Sequence, residues 1–138
     1  RLAQLGAATR PSDLAEFGVA TDAGALDARA LGNIRELDAD GSVLSEVIAM
    51  YLGEAVHHVA RLKAALHAQD AAAIDAAAHA FKSASLNVGA LQLGELCRKL
   101  ERQGKAGELI GAVDLVGAIE RQLERVRPLL LAEMGQLA

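Results

Sequence analysis

The stretch Asp70–Ala90, DAAAIDAAAHAFKSASLNVGA, decides the fold. It is rich in alanine, the strongest helix former. It opens on Asp70, a side chain that caps helix N-termini, and closes on Gly89, which accepts the left-handed geometry of a helix C-terminus. The spacing predicts a helix over 71–88. On a wheel stepping about 100° per residue, Ile74, Ala77, Phe81, Ala84 and Val88 fall on one side. His79 falls on the other, together with Ala72, Asp75, Ala76, Lys82, Ser83 and Leu86. The first side is a stripe to be buried and the second faces water. One helix cannot bury its own stripe, so the flanking sequence must supply the partners.

It does so on both sides. Upstream, Ser42 reads as an N-cap with Glu46 in the first turn, and Val43, Leu44, Val47, Ile48, Tyr51, Leu52, Ala55, Val56, Val59, Leu62 and Leu66 recur at helical spacing to about residue 68. That rod is roughly 39 Å long. Downstream, a helix is predicted from Leu91 to Gln103, stopping at Gly104. A last one starts near Gly107 or Glu108 and carries Leu109, Ile110, Val113, Val116, Ile119, Leu123 and Val126. Pro128 is expected to kink or end it, since proline removes a backbone donor and crowds the preceding turn. Asp27 caps a short leading helix over 28–37, with Leu31, Ile34 and Leu37 in phase, and Asp38–Gly41 reads as a loop. Residues 1–25 read as a linker or N-terminal extension, and 26–138 as the domain. Short connections make neighbouring helices antiparallel. The expected fold is therefore all-α, an up-down-up-down four-helix bundle with a short additional N-terminal helix.

Composition narrows the function. A chain of 138 residues fits one domain, and 52% hydrophobic residues suffice for a core. Aromatics at 2% argue against sheet folds and against base stacking, and a net charge of −4 argues against nucleic acid as a partner. The single cysteine, Cys97, excludes an internal disulfide and a cysteine zinc site, and is expected to be a buried structural thiol. No apolar run reaches the roughly 18 residues of a membrane span, so no direct membrane contact is expected. With Arg1 first and no signal-peptide pattern, the chain reads as a fragment of a longer protein.

The His79 face carries the chemistry. An exposed imidazole is substantially neutral near neutral pH, and the neutral ring is a nucleophile. Lys82, one turn on and expected to be exposed, could offset charge on a phosphoryl group at the ring nitrogen. Ala72, Ala76 and Ser83 leave low relief for a partner protein, and Leu86 offers an apolar contact. Asp75 would repel phosphate and is expected to point aside or to contact the partner. Spacing alone reads first as a solvated face with an incidental histidine. The other candidates are poorer. His57 and His58 are adjacent, about 100° apart, and cannot readily clasp one metal, so no metal site is expected. His67 reads as a favourable charge at a helix C-terminus. Ser83 and Ser85 have no orienting acid or oxyanion hole for hydrolase chemistry, and no glycine-rich nucleotide loop or Walker pattern is present.

The longer pattern is more telling. The run His79-Ala80-Phe81-Lys82-Ser83-Ala84-Ser85-Leu86-Asn87-Val88-Gly89-Ala90, followed by Leu93, Cys97, Leu100 and Glu101, resembles the histidine phosphotransfer (HPt) domain of bacterial two-component phosphorelays. The similarity spans roughly residues 26–131. One departure is Ser83, where the family usually has glycine. The resemblance implies a four-helix bundle with His79 as phosphoacceptor, Lys82 stabilising phosphoryl charge, and Ala72, Asp75, Ala76, Ser83 and Leu86 as docking residues. It implies response-regulator receiver domains as partners, with magnesium supplied by the receiver and no cofactor of this domain's own. It also implies a monomeric cytoplasmic module. The linker-like residues 1–25 suggest the C-terminal module of a hybrid sensor kinase, whose upstream domains can include a membrane anchor, and a free-standing HPt protein is the other reading. A helical docking module that binds a receiver without phosphotransfer is the alternative.

Overall fold

The computed structural model describes residues 26–36 and 42–135, and among these described residues five helices follow one another. They are α1 (Ala28–Arg35), α2 (Ser42–His67), α3 (Ala71–Asn87), α4 (Leu91–Ala106) and α5 (Ala112–Gly135). Each of α2 to α5 packs on the next, α5 closes back on α2, and α1 lies on α2. This is the expected four-helix bundle with a short leading helix. The core runs along its axis through Leu44, Ile48, Leu62, Ile74, Phe81, Leu93, Leu100, Ile119 and Leu130.

The predicted caps form. Asp27 Oδ1 accepts a hydrogen bond from Arg29 N at 3.0 Å, and Asp70 Oδ1 accepts one from Ala73 N at 3.1 Å. Gly89 adopts φ +79°, and its carbonyl accepts from Asp27 N at 2.7 Å, which pins the start of α1 to the α3–α4 turn. A Cβ there would lie 2.7 Å from the Asp27 carbonyl oxygen, so both the geometry and the space require glycine.

Several boundaries differ from the sequence expectation. Ser42 is the first residue of α2, not its cap, and Glu46 lies beyond the first turn. The predicted linker over 1–25, the loop over 38–41 and Leu37 lie outside the described residues. α4 does not stop at Gly104 but continues to Ala106, and Gly107 at φ +72° provides the left-handed end. α5 begins only at Ala112, after Gly111 turns the chain at φ +85°. Ile110 and Val113 therefore face water, 93% and 68% exposed, instead of joining the stripe, and Val56 on α2 also faces out. Pro128 lies inside α5 without ending it. Beyond it Leu130 is fully buried and Leu129 and Met134 pack on the core. Burial of that apolar turn outweighs the local backbone cost.

His58, on the flank of the α2 stripe, is buried in the core. Its ring stacks on Phe81 with centroids 5.0 Å apart, and its Nδ1 is buried with no hydrogen-bond partner among the described residues. Burial, and then the Arg61 charge, push its pKa below the ordinary imidazole value. The unfolded chain therefore binds a proton more readily than the fold does. Stability is full above about pH 6.5 and declines as pH falls toward and through the lowered folded value. His58→Leu is expected to raise stability by about 1 kcal/mol at neutral pH by removing the orphaned nitrogen, and by more in mild acid. Thermal melts of both proteins across pH 5–8 check this. An unchanged difference between their melting temperatures over that range would contradict it.

Candidate functional site

The α3–α4 interface is tight because α4 presents glycine there. A Cβ on Gly104 would lie 2.7 Å from Asp75 N and 2.8 Å from the Ala71 carbonyl oxygen, so the two backbones touch. This register carries Glu101, almost one turn earlier on α4, against His79 of α3.

The His79 side chain is 61% exposed, as its wheel position predicts. Its Nδ1 lies 2.7 Å from Glu101 Oε2. The Lys82 ammonium donates to Glu101 Oε1 at 2.7 Å. The Lys105 ammonium donates to Glu101 Oε2 at 3.1 Å and to Asp75 Oδ1 at 2.9 Å. Glu101 itself is buried. Its carboxyl pKa is held at about 2, first by the Lys82 hydrogen bond and then by those from His79 and Lys105, against the opposing effect of burial. An ionised carboxylate only accepts hydrogen bonds. The contact therefore assigns the ring proton to Nδ1 and leaves the lone pair on Nε2, which has no partner among the described residues.

Around the ring the surface is low. Ala72, Ala76 and Ser83 are exposed. Leu86 is 42% exposed and leans over Gly94 of α4, where a Cβ would meet its Cδ2. Asp75 points aside into its ion pair with Lys105. Lys82 departs from expectation. Its side chain is only 22% exposed and is tied to Glu101. The wheel of one helix could not include a carboxylate delivered by another. Among the described residues, none of the cavities along the helices is lined by His79. The cavity of about 570 Å³ between α4 and α5, lined by Leu96, Arg102, Leu115 and Arg121 among others, does not include His79.

A family model described as "Hpt domain" matches residues 46–128. This chain belongs to the Hpt domain family. The crystal structure of histidine-containing phosphotransfer protein B (HptB) from Pseudomonas aeruginosa PAO1 is similar to it, with 33% sequence identity and a TM-score of 0.77 over 83% of this chain and 97% of that one. Comparison with curated proteins gives no match. The function is histidine phosphotransfer in phosphorelay signalling, and Hpt domains interact there with receiver domains.

Two polar groups of this Hpt domain escaped sequence reasoning as parts of the site. Glu101 entered only as a member of the motif, and Lys105 not at all. The available signal was a carboxylate in the apolar stripe of α4, beside Leu93, Cys97 and Leu100. A buried carboxylate needs a cationic or donor partner. Cys97 is the buried, inert thiol expected, its pKa pushed up to about 12 chiefly by burial. Among the described residues no three His, Cys, Asp or Glu side chains converge to hold a metal ion, and no helix is long and apolar enough to cross a membrane.

Proposed function

We propose that His79 is the phosphoacceptor, and that the Hpt domain takes a phosphoryl group there from a receiver aspartyl phosphate and returns it to another receiver's aspartate. One observation carries this reading: an exposed imidazole whose Nδ1 is held by a buried, ionised carboxylate, with Nε2 left without a partner. Nε2 attacks phosphorus in line. The N–P bond forms as the P–O bond to the aspartyl carboxylate breaks, and the electron pair leaves with that carboxylate. No proton need move, because Nδ1–H stays on Glu101. The positive charge that the ring gains on attack develops 2.7 Å from the Glu101 oxygen. Lys82, held beside the ring by the same carboxylate, faces the incoming phosphoryl oxygens. The divalent cation belongs to the receiver.

Ala72, Ala76, Ser83 and Leu86 form the surface on which the receiver sits, close enough for the two reacting atoms to meet. His79→Gln is expected to abolish labelling by a phosphorylated receiver, while the wild type acquires an acid-labile, base-stable label. Incorporation into His79→Gln at the wild-type level would remove His79 from the reaction.

A further inference from the structure

Glu101 Oε2 accepts from two donors at once, and the two compete only for the charge of one oxygen. The imidazole Nδ1–H lies 2.7 Å away and the Lys105 ammonium 3.1 Å away. Lys82 uses the other oxygen, Oε1, and does not enter this competition. Lys105 is divided, because Asp75 Oδ1 holds the same ammonium at 2.9 Å. Asp75 stands one turn before His79 on α3, and Lys105 one turn after Glu101 on α4, so the pair closes a ring of contacts across the helix interface. The share of Lys105 taken by Asp75 sets how much of Oε2 remains for the ring.

We propose that Asp75 is a positioning residue for His79 that acts through Lys105. By drawing the ammonium toward itself, it keeps Glu101 Oε2 available to the imidazole Nδ1–H and so keeps the lone pair on Nε2. The consequence for phosphotransfer rests on the reading of His79 as acceptor, whereas the effect on the ring does not.

The two partners of this one ion pair then have opposite effects, which a merely structural bridge would not produce. Asp75→Asn releases Lys105 onto Oε2, weakens the hold on Nδ1–H and lowers the fraction of the Nδ1–H tautomer. Lys105→Gln leaves Oε2 to the ring and raises that fraction. In the double variant Asp75 has nothing left to act through, so the protein behaves as Lys105→Gln alone. The measurement is the ¹⁵N chemical shift of both His79 ring nitrogens on the high-pH plateau of those shifts. The expected change in tautomer ratio is about two- to fivefold in each direction, the range set by an exposed ion pair. Acceptance of phosphate from a phosphorylated receiver should fall by a similar factor in Asp75→Asn. Adding Asp75→Asn to Lys105→Gln should cause no fall. An unchanged ratio in Asp75→Asn, or an effect that persists in the Lys105→Gln background, overturns the proposal, the latter by making Asp75 act directly on the ring. The ring measurement needs no phosphate. It therefore stands if the acceptor role of His79 fails, and labelling of His79→Gln tests that role separately.

Discussion

Glu101→Ala is expected to slow phosphoryl transfer to His79 by on the order of 100-fold, the scale seen when a group that orients or stabilises a reacting centre is removed. Three contacts end on this carboxylate. Without it, water competes for Nδ1, the ring samples both tautomers and other rotamers, and the charge gained on attack loses its counterion. Lys82 also loses the anchor that holds it beside the ring. Glu101→Gln separates these roles. The amide oxygen still accepts from Nδ1–H, but the charge is gone, so a smaller loss of about tenfold is expected. Pre-steady-state labelling by a phosphorylated receiver measures both rates. Glu101→Ala within twofold of wild type would show that the ring needs no carboxylate. The same group leaves a mark on stability. Its folded pKa of about 2 lies below the ordinary 4.5, so the unfolded chain takes up the proton first. Its contribution is full above about pH 4.5 and is lost between there and about pH 2. The Glu101→Gln variant should lack that part of the acid slope.

What could be read from the sequence follows a physical division. Helix periodicity and local caps are encoded within a few residues. Asp27, Asp70 and Gly89 thus marked their ends, and the wheel placed His79 outward and Phe81 inward. The contacts of Glu101 depend instead on the register between α3 and α4, which no single-helix pattern contains. Lys82 is less exposed than its wheel position predicts for the same reason, because the carboxylate that holds it comes from the next helix. Gly104 was read as a helix stop, since glycine costs about 1 kcal/mol inside a helix. Tertiary contact reverses that expectation, because Gly104 lets the backbones of α3 and α4 touch. Ile110 and Val113 show the opposite error. They are apolar and in phase, but Gly111 turns the backbone between them and leaves both outside.

Gly104→Ala therefore tests the link between packing and site. In an open helix this change should add about 1 kcal/mol of stability, because alanine restricts the unfolded chain and favours the helix. Gly53, midway along α2 with nothing within 4 Å of its missing Cβ, is such a place, and Gly53→Ala should stabilise. At Gly104 the new methyl would lie 2.7 Å from Asp75 N, 2.8 Å from the Ala71 carbonyl oxygen and 3.0 Å from Asp75 Cα. All three are backbone atoms, with no side chain free to swing away. Relief requires α4 to move off α3, and overpacking of this kind costs about 1–3 kcal/mol. The clash outweighs the propensity gain, so a net loss of up to about 2 kcal/mol is expected, a fall in Tm of up to about 8 °C for a domain of this size. The displacement falls at Asp75 and Lys105, almost one turn from Glu101, and so lengthens the contact that holds His79 Nδ1. Transfer should slow in the folded protein at temperatures well below its melting point, whereas Gly53→Ala leaves the rate unchanged. A Gly104→Ala protein that melts above the wild type would mean that the two helices do not approach as closely as these distances require, and the placement of Glu101 beneath the ring would lose its basis.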